Sequence, residues 1–288
     1  MFVSGFTFIR NAVRFDFPVV EAIGSVLPLC DEFVVAVGKS DDGTLELIQQ
    51  IGSPKIRIVE TVWDESLRDG GAVYAHETNK ALRAISPQAN WAFYVQGDEV
   101  LHQKYLNTIK TAMENWQNDP NIDGLLLDYL HFYGSYDYLG DSPAWYRREI
   151  RIIKNDPTIY SYRDAQGFRK GQNQKLRVKP IDAQMYHYGW VKDPRVMQNK
   201  QRAVNKYWDN ATDAQKADIV AFDYSGIDSL AKFEGTHPQI MQARIAQKNW
   251  QFTHDITQKK LTLRYRLNMW IEQLTGWRIG EYRNYKIT

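Results

Sequence analysis

With 288 residues, 43% of them hydrophobic, the chain is long enough for one large domain or two modest ones around a filled core. Its 36 basic and 34 acidic side chains leave a formal net charge of +2, which gives no general case for nucleic-acid binding. The single Cys30 rules out an internal disulfide and a multi-cysteine zinc site, and no run reaches the roughly 18 apolar residues of a membrane span.

The first half alternates strand and helix patterns. Residues 2–9 read as a strand, and 19–29 as a helix with Asp16 as cap and Pro18 in the first turn. A near-continuous apolar strand covers 32–37. Turn residues follow at 38–43, then a helix at 44–51. Residues 55–60 alternate polar and apolar, as a half-exposed strand should. A helix runs from about 72 to 85, a buried strand covers 91–95, a longer helix 101–116, and another strand 123–132. Residues 133–146 read as a long aromatic loop, 150–153 as a strand, 164–175 as a polar loop, and 178–187 as the last strand. From 193 onward helix formers dominate, through 206, around 230, and at 240–250 and 262–274. The reading is an α/β domain over 1–192, with a mostly parallel sheet flanked by helices. A helical C-terminal extension over 193–288 packs on it. No signal-peptide pattern opens the chain, so a cytoplasmic location is expected.

The most informative segment is the strand Trp91-Ala92-Phe93-Tyr94-Val95, which runs straight into Gln96-Gly97-Asp98-Glu99. Adjacent carboxylates at the mouth of a buried strand repel each other and lose hydration. They persist most easily beside a cation or basic partner. Ligands of open α/β sheets bind outside the carboxyl ends of strands. The alternative is a strand-to-helix turn in which Asp98 caps the next helix.

In sequence order, several segments resemble the GT-A nucleotide-sugar glycosyltransferases, in particular family-2-type enzymes. Phe6-Thr7-Phe8-Ile9-Arg10-Asn11 is similar to their first strand and nucleotide-binding turn. The run from Val34 through Gly38-Lys39-Ser40-Asp41-Asp42-Gly43-Thr44 is similar to their second strand and its turn. Gly70-Gly71 through Asn79 resembles their helix under the nucleotide, and Gln96-Gly97-Asp98-Glu99 stands in the place of their Asp-x-Asp metal motif. Weaker echoes extend to His187-Tyr188-Gly189-Trp190. Two positions depart from the pattern: Gly38 stands where such enzymes carry an Asp, and Gln96 where they carry the first Asp of the metal motif.

The resemblance implies transfer of a sugar from a nucleotide-diphosphate donor to a glycan or lipid-linked acceptor, with inversion and with Mg²⁺ or Mn²⁺ as cofactor. It places Asp98 and His187 at the metal, although a buried strand histidine bonded to backbone is the alternative for His187. Donor contacts fall to Phe8, Arg10, Asn11, Gly38, Ser40, Asn79, Gln96, Gly97 and Arg148, with Arg147 a further option. Asp164 is the first candidate base and Asp141 the reserve; a loop-capping Asp is the plain alternative. Glu99, Tyr133, Tyr136 and Trp145 are candidate acceptor contacts, with Tyr138 and Tyr146 nearby. The aromatics could instead pin the long loop, and Glu99 could instead favour a helix N-terminus. The basic, apolar stretch 259–278 could lie on the inner face of an anionic membrane, or pack its apolar face on the catalytic domain, the ordinary outcome for an amphipathic helix. Two rivals remain. One is a non-catalytic nucleotide- or carbohydrate-binding protein of the same fold. The other is a nucleotidyltransferase, disfavoured because no Gly-rich phosphate loop with a following Arg and Lys lies near the N-terminus.

Overall fold

The computed structural model describes residues 1–208 and 220–288. The chain opens with β1 (Val3–Ile9), α1 (Val19–Val26), β2 (Glu32–Gly38), α2 (Thr44–Gln49), β3 (Ile56–Thr61), α3 (Ala72–Ala84) and β4 (Trp91–Tyr94). β1 pairs with β2 and β4, and β2 with β3, all parallel. A strand buried on both faces needs apolar residues at every position. β2 meets that need: Val35 and Val37 join one core cluster, Val34 and Ala36 the other. α1 and α4 (Leu106–Trp116) cover the first face through Ile23, Val26, Ile109 and Met113. α3 covers the second through Ala81 and Leu82.

Between β4 and α4 lies β5 (Glu99–Leu101), and beyond α4 come β6 (Gly124–Tyr133), β7 (Tyr138–Gly140), β8 (Arg148–Lys154), β9 (Ile159–Tyr162), β10 (Gly167–Lys170) and β11 (Gln174–Trp190). The main sheet order is β3-β2-β1-β4-β8-β6-β11-β10-β9. This is the expected α/β class, a sheet flanked by helices. It is parallel through β3-β2-β1-β4 and mixed beyond, because β8 runs antiparallel to both its neighbours.

The chain then forms α5 (Pro194–Asn205), β12 (Leu230–Lys232), α6 (Gln242–Ala246), α7 (Leu263–Thr275) and β13 (Tyr285–Ile287). The C-terminal region therefore adds strands as well as helices: β12 pairs with β7, and β13 with β11.

Local expectations fail where distant pairing decides. The helix expected from 101 begins at Leu106, because Glu99–Leu101 pair antiparallel with Met185, Tyr186 and His187 of β11. Asp98 is accordingly no helix cap, and Glu99 sits in a strand. The loop expected at 164–175 contains β10, which forms a hairpin with β9. The helix-forming stretch around 230 is β12, and 240–250 holds the end of a 3₁₀ turn and the short α6. Pro18, not Asp16, stands at the N-cap of α1; the Asp16 carboxylate pairs with Arg244. In β11, Pro180 brings no N–H to the ladder, and the register with β6 shifts between Pro180 and Gln184.

Candidate active site

A cavity of about 440 Å³ opens at the carboxyl ends of β1 and β4, within the size range of small-molecule sites. Of the residues singled out in the sequence, it brings together Phe8, Arg10, Asn11, Gln96, Gly97, Asp98 and Asp164. It adds Trp63, Glu65, Tyr74, Lys200, Tyr207 and Trp208, which the sequence did not single out.

Asp98 is the charged centre. Its Oδ2 accepts from Lys200 Nζ at 3.1 Å, and Lys200 also donates to the Gly189 carbonyl at 3.0 Å. Burial works to raise the Asp98 carboxyl, but Lys200, with Lys192 behind it, overrides that and holds it well below the ordinary carboxylate range. Lys192 is fully buried, donates to the Asp16 carbonyl at 2.6 Å, and shares the Phe17 ring with Lys200. Burial first, then Lys200, pushes its ammonium down to about 7.

β11 sets His187 beside this carboxylate, with Nε2 3.8 Å from Asp98 Oδ1. The proton positions follow from the partners. His131 Nε2 lies 2.7 Å from the Tyr146 carbonyl, which only accepts, so that nitrogen carries the hydrogen. Burial pushes His131 down to about 3, so the ring is neutral and its Nδ1 is an acceptor. His187 Nδ1, 3.1 Å away, must then donate to it. Burial also lowers His187, and in its neutral form Nε2 carries a lone pair that faces Asp98. Two electron-rich atoms face each other here with no proton between them. Gly189 makes the approach possible: a Cβ there would lie 2.6 Å from His187 Nε2 and 2.9 Å from Asp98 Oδ2.

An imidazole nitrogen and a carboxylate oxygen are ligand types that could hold a Mg²⁺ or Mn²⁺ ion. Among the described residues no group of three or more His, Cys, Asp or Glu side chains converges. An ion held here would therefore take its other ligands from substrate oxygens and water.

The apolar wall is built by Phe8, Trp63, Tyr74 and Tyr207. Tyr74 stacks on Phe8 at 6.0 Å, and Trp63 and Tyr207 meet it edge-on at 5.7 Å. Trp63 explains Gly38: a Cβ at Gly38 would lie 2.4 Å from Trp63 Nε1, so the indole fills the space an Asp side chain would need. Arg10 packs on the Trp63 ring and pairs with Glu65 at 2.6 Å.

Asp164 projects from the β9–β10 turn. Arg163 and Ala165 on either side of it both have positive φ (55° and 63°), a costly backbone for residues with a Cβ. Gln96 Nε2 donates to the Ala165 carbonyl at 3.3 Å, tying this turn to the end of β4. Burial raises the Asp164 carboxyl above its ordinary value.

The remaining candidates lie outside the cavity lining. Ser40 accepts from Asn11 N at 3.0 Å and donates to the Gly38 carbonyl, bracing the β1 turn. Asn79 bonds Ser161 through both its amide atoms. Arg148 pairs with Asp128 and Arg147 with Glu272 and Glu281. Asp141 pairs with Lys259. Glu99 is fully buried; its carboxylate accepts two bonds from Arg151, one from the Tyr129 hydroxyl and one from Gln96 N. Tyr133 and Tyr136 are buried in ring clusters with Tyr224 and Tyr188, and Trp145 stacks on His131. These rings pin the 133–146 segment.

No protein-family model and no curated protein matches the chain. Among solved structures it is similar to Staphylococcus aureus TarS, with TM-score 0.40 and 13% identity. The match covers 71% of this chain, and the chain spans only 39% of TarS. It is similar to the 4-diphosphocytidyl-2C-methyl-D-erythritol synthase of Anaerococcus prevotii, with TM-score 0.38 and 14% identity over 72% of this chain and 95% of that one. It is also similar to Mycobacterium tuberculosis glucosyl-3-phosphoglycerate synthase, solved with Mn²⁺, UDP and phosphoglyceric acid, with TM-score 0.31 and 17% identity over 45% and 43% of the two chains. At such scores and identities, the chemistry of the site stands on its own geometry.

Proposed function

We propose that the protein is a glycosyltransferase that moves a sugar from a nucleotide-diphosphate donor to a glycan or lipid-linked acceptor, with inversion. The observation that carries this reading is the cavity itself. Asp98, Lys200, Arg10 and Asp164 line one space together with an aromatic wall, Asp164 standing beside Tyr74. Function is argued from such a site and not from fold.

In this reading the base of the nucleotide lies against Phe8, Trp63 and Tyr74, and the diphosphate reaches towards Arg10 and Lys200. Asn11, Gln96 and Gly97 line the donor path. Asp98 and His187 would hold Mg²⁺ or Mn²⁺, which when bound neutralises charge on the leaving diphosphate. Asp164, raised by burial, takes the proton from the acceptor hydroxyl. The acceptor oxygen forms the new bond to the anomeric carbon as the bond to the phosphate oxygen breaks. Nucleoside diphosphate leaves with the electron pair. Lys200 and Arg10 steady it as charge develops.

A panel of nucleoside diphosphates and their sugar conjugates, titrated by calorimetry with and without Mn²⁺, tests the reading. One nucleotide should bind, and Asp98→Asn, compared with the parent under conditions where both are folded, should lose Mn²⁺-dependent binding and donor turnover. Full turnover by Asp98→Asn sinks the site. Binding without nucleotide release from any donor, in the presence of candidate acceptors, would favour a non-catalytic nucleotide binder, a reading that the uncharged Gln96 supports.

A further inference from the structure

α7 is amphipathic in the reverse sense to an ordinary surface helix. Leu263, Leu267, Trp270 and Leu274 recur at spacings of four, three and four, which places them on one stripe of a 3.6-residue helix. That stripe faces outward. The four side chains, with Trp277 just past the helix end, are between 55% and 84% exposed. On the other side Asn268 and Glu272 tie the helix to the body, beside the half-buried Tyr265, Met269 and Ile271. Glu272 accepts from Arg147 at 2.9 Å and from Arg278 at 2.7 Å. Arg147 also forks onto Glu281, and the buried Asn268 donates to the Ile279 carbonyl. The apolar face expected to pack on the catalytic domain is thus left uncovered.

The charge around the stripe is one-sided. Steps of 100° per residue set Arg264 on one flank and Arg266 on the other, both exposed. The helix has one acid, Glu272, and it is turned inward. An apolar band with cationic flanks and tryptophans matches an anionic bilayer surface, where rings sit at headgroup depth and bases meet lipid phosphates. Pairing with a second copy would line both seams with like charge. Thirteen residues span only about 20 Å of helix, too short to cross a bilayer of about 30 Å. Among the described residues no helix is long and apolar enough to cross a membrane.

We propose that the outward face of α7 docks the protein flat on an anionic lipid surface, with the Leu263–Leu267–Trp270–Leu274 stripe in the headgroup region and Arg264 and Arg266 on its phosphates. The surface is distinct from the donor cavity and binds without nucleotide.

The test is co-sedimentation of the full chain with vesicles of phosphatidylcholine alone or of an equal mixture with phosphatidylglycerol. Binding to the anionic vesicles should exceed binding to the neutral ones by about tenfold or more and weaken with added salt. The double variant Leu267→Asp, Leu274→Asp should lose vesicle binding, and Arg264→Glu with Arg266→Glu should lose the preference for anionic lipid. Both should keep the thermal midpoint and nucleotide affinity of the parent. No binding to anionic vesicles overturns the proposal, as does equal binding by the leucine variant. A parent dimer in light scattering that the leucine variant splits, with no vesicle binding by either, assigns the stripe to a second copy and also overturns it.

Discussion

Replacing Lys200 by Met removes an ammonium 3.1 Å from Asp98 while keeping most of the packing against Phe17. Both side chains of the pair are only about a tenth exposed, 13% for Lys200 and 11% for Asp98. At an effective dielectric near 20, unit charges at this distance attract by roughly 5 kcal/mol before desolvation. Deleting one partner of such a pair strands the other, which typically costs about 3–5 kcal/mol. The lost bond to the Gly189 carbonyl adds about 1 kcal/mol. In EDTA the variant should therefore be less stable than the parent by roughly 4–6 kcal/mol, read by urea denaturation with tryptophan fluorescence. Mn²⁺ should then favour the variant more than the parent, because in the parent the ammonium already shares the carboxylate. At a hundredfold excess over its dissociation constant, an ion that binds only the folded state returns about 2.7 kcal/mol. Equal stability of the two proteins in EDTA would refute the pair as a structural element. Equal stabilisation by Mn²⁺ would refute competition between ammonium and ion for Asp98.

Asp164→Asn should lower turnover by roughly 10²–10⁴-fold with donor affinity unchanged. In the parent the acid limb of the rate profile should lie above the ordinary carboxylate range, and wild-type turnover in the variant would remove Asp164 from the reaction. Glu149 is buried beside Gln166, and burial raises its carboxyl from 4.5 to about 8. The folded state keeps a proton there that the unfolded state releases. Its contribution is full below pH 4.5 and is lost as pH rises towards 8, by at most roughly 4–5 kcal/mol. Glu149→Gln should flatten that slope, and urea midpoints at pH 5 and pH 8 that keep the parent's difference would contradict the reasoning. Gly189→Ala forces a methyl between His187 and Asp98, and should cost about 1–3 kcal/mol in overpacking while weakening Mn²⁺ binding in calorimetry.

What the sequence discloses depends on how far apart the deciding residues lie. β2 and β4 are legible because a strand buried on both faces has only one composition that satisfies it. Asp98 is legible for the same reason, since it ends such a run. β5 and β10 are not, because three or four residues carry no period of their own and become strands only when β11 or β9 arrives beside them. Lys200 lies 102 positions from Asp98, on a helix whose pattern shows only that one side is polar. Trp63 and Gly38 likewise become one fact only after folding brings an indole over a glycine. α7 is the sharpest case. Its period declares two faces but cannot say which one meets the protein. That choice is made by distant and following residues together: Arg147 and Arg278 take Glu272, the Ile279 carbonyl takes Asn268, and the leucines are left outward. The polar contacts that hold the helix and the apolar surface it presents are two consequences of the same set of bonds. A change at Arg147 should therefore alter both how α7 is seated and what it can touch.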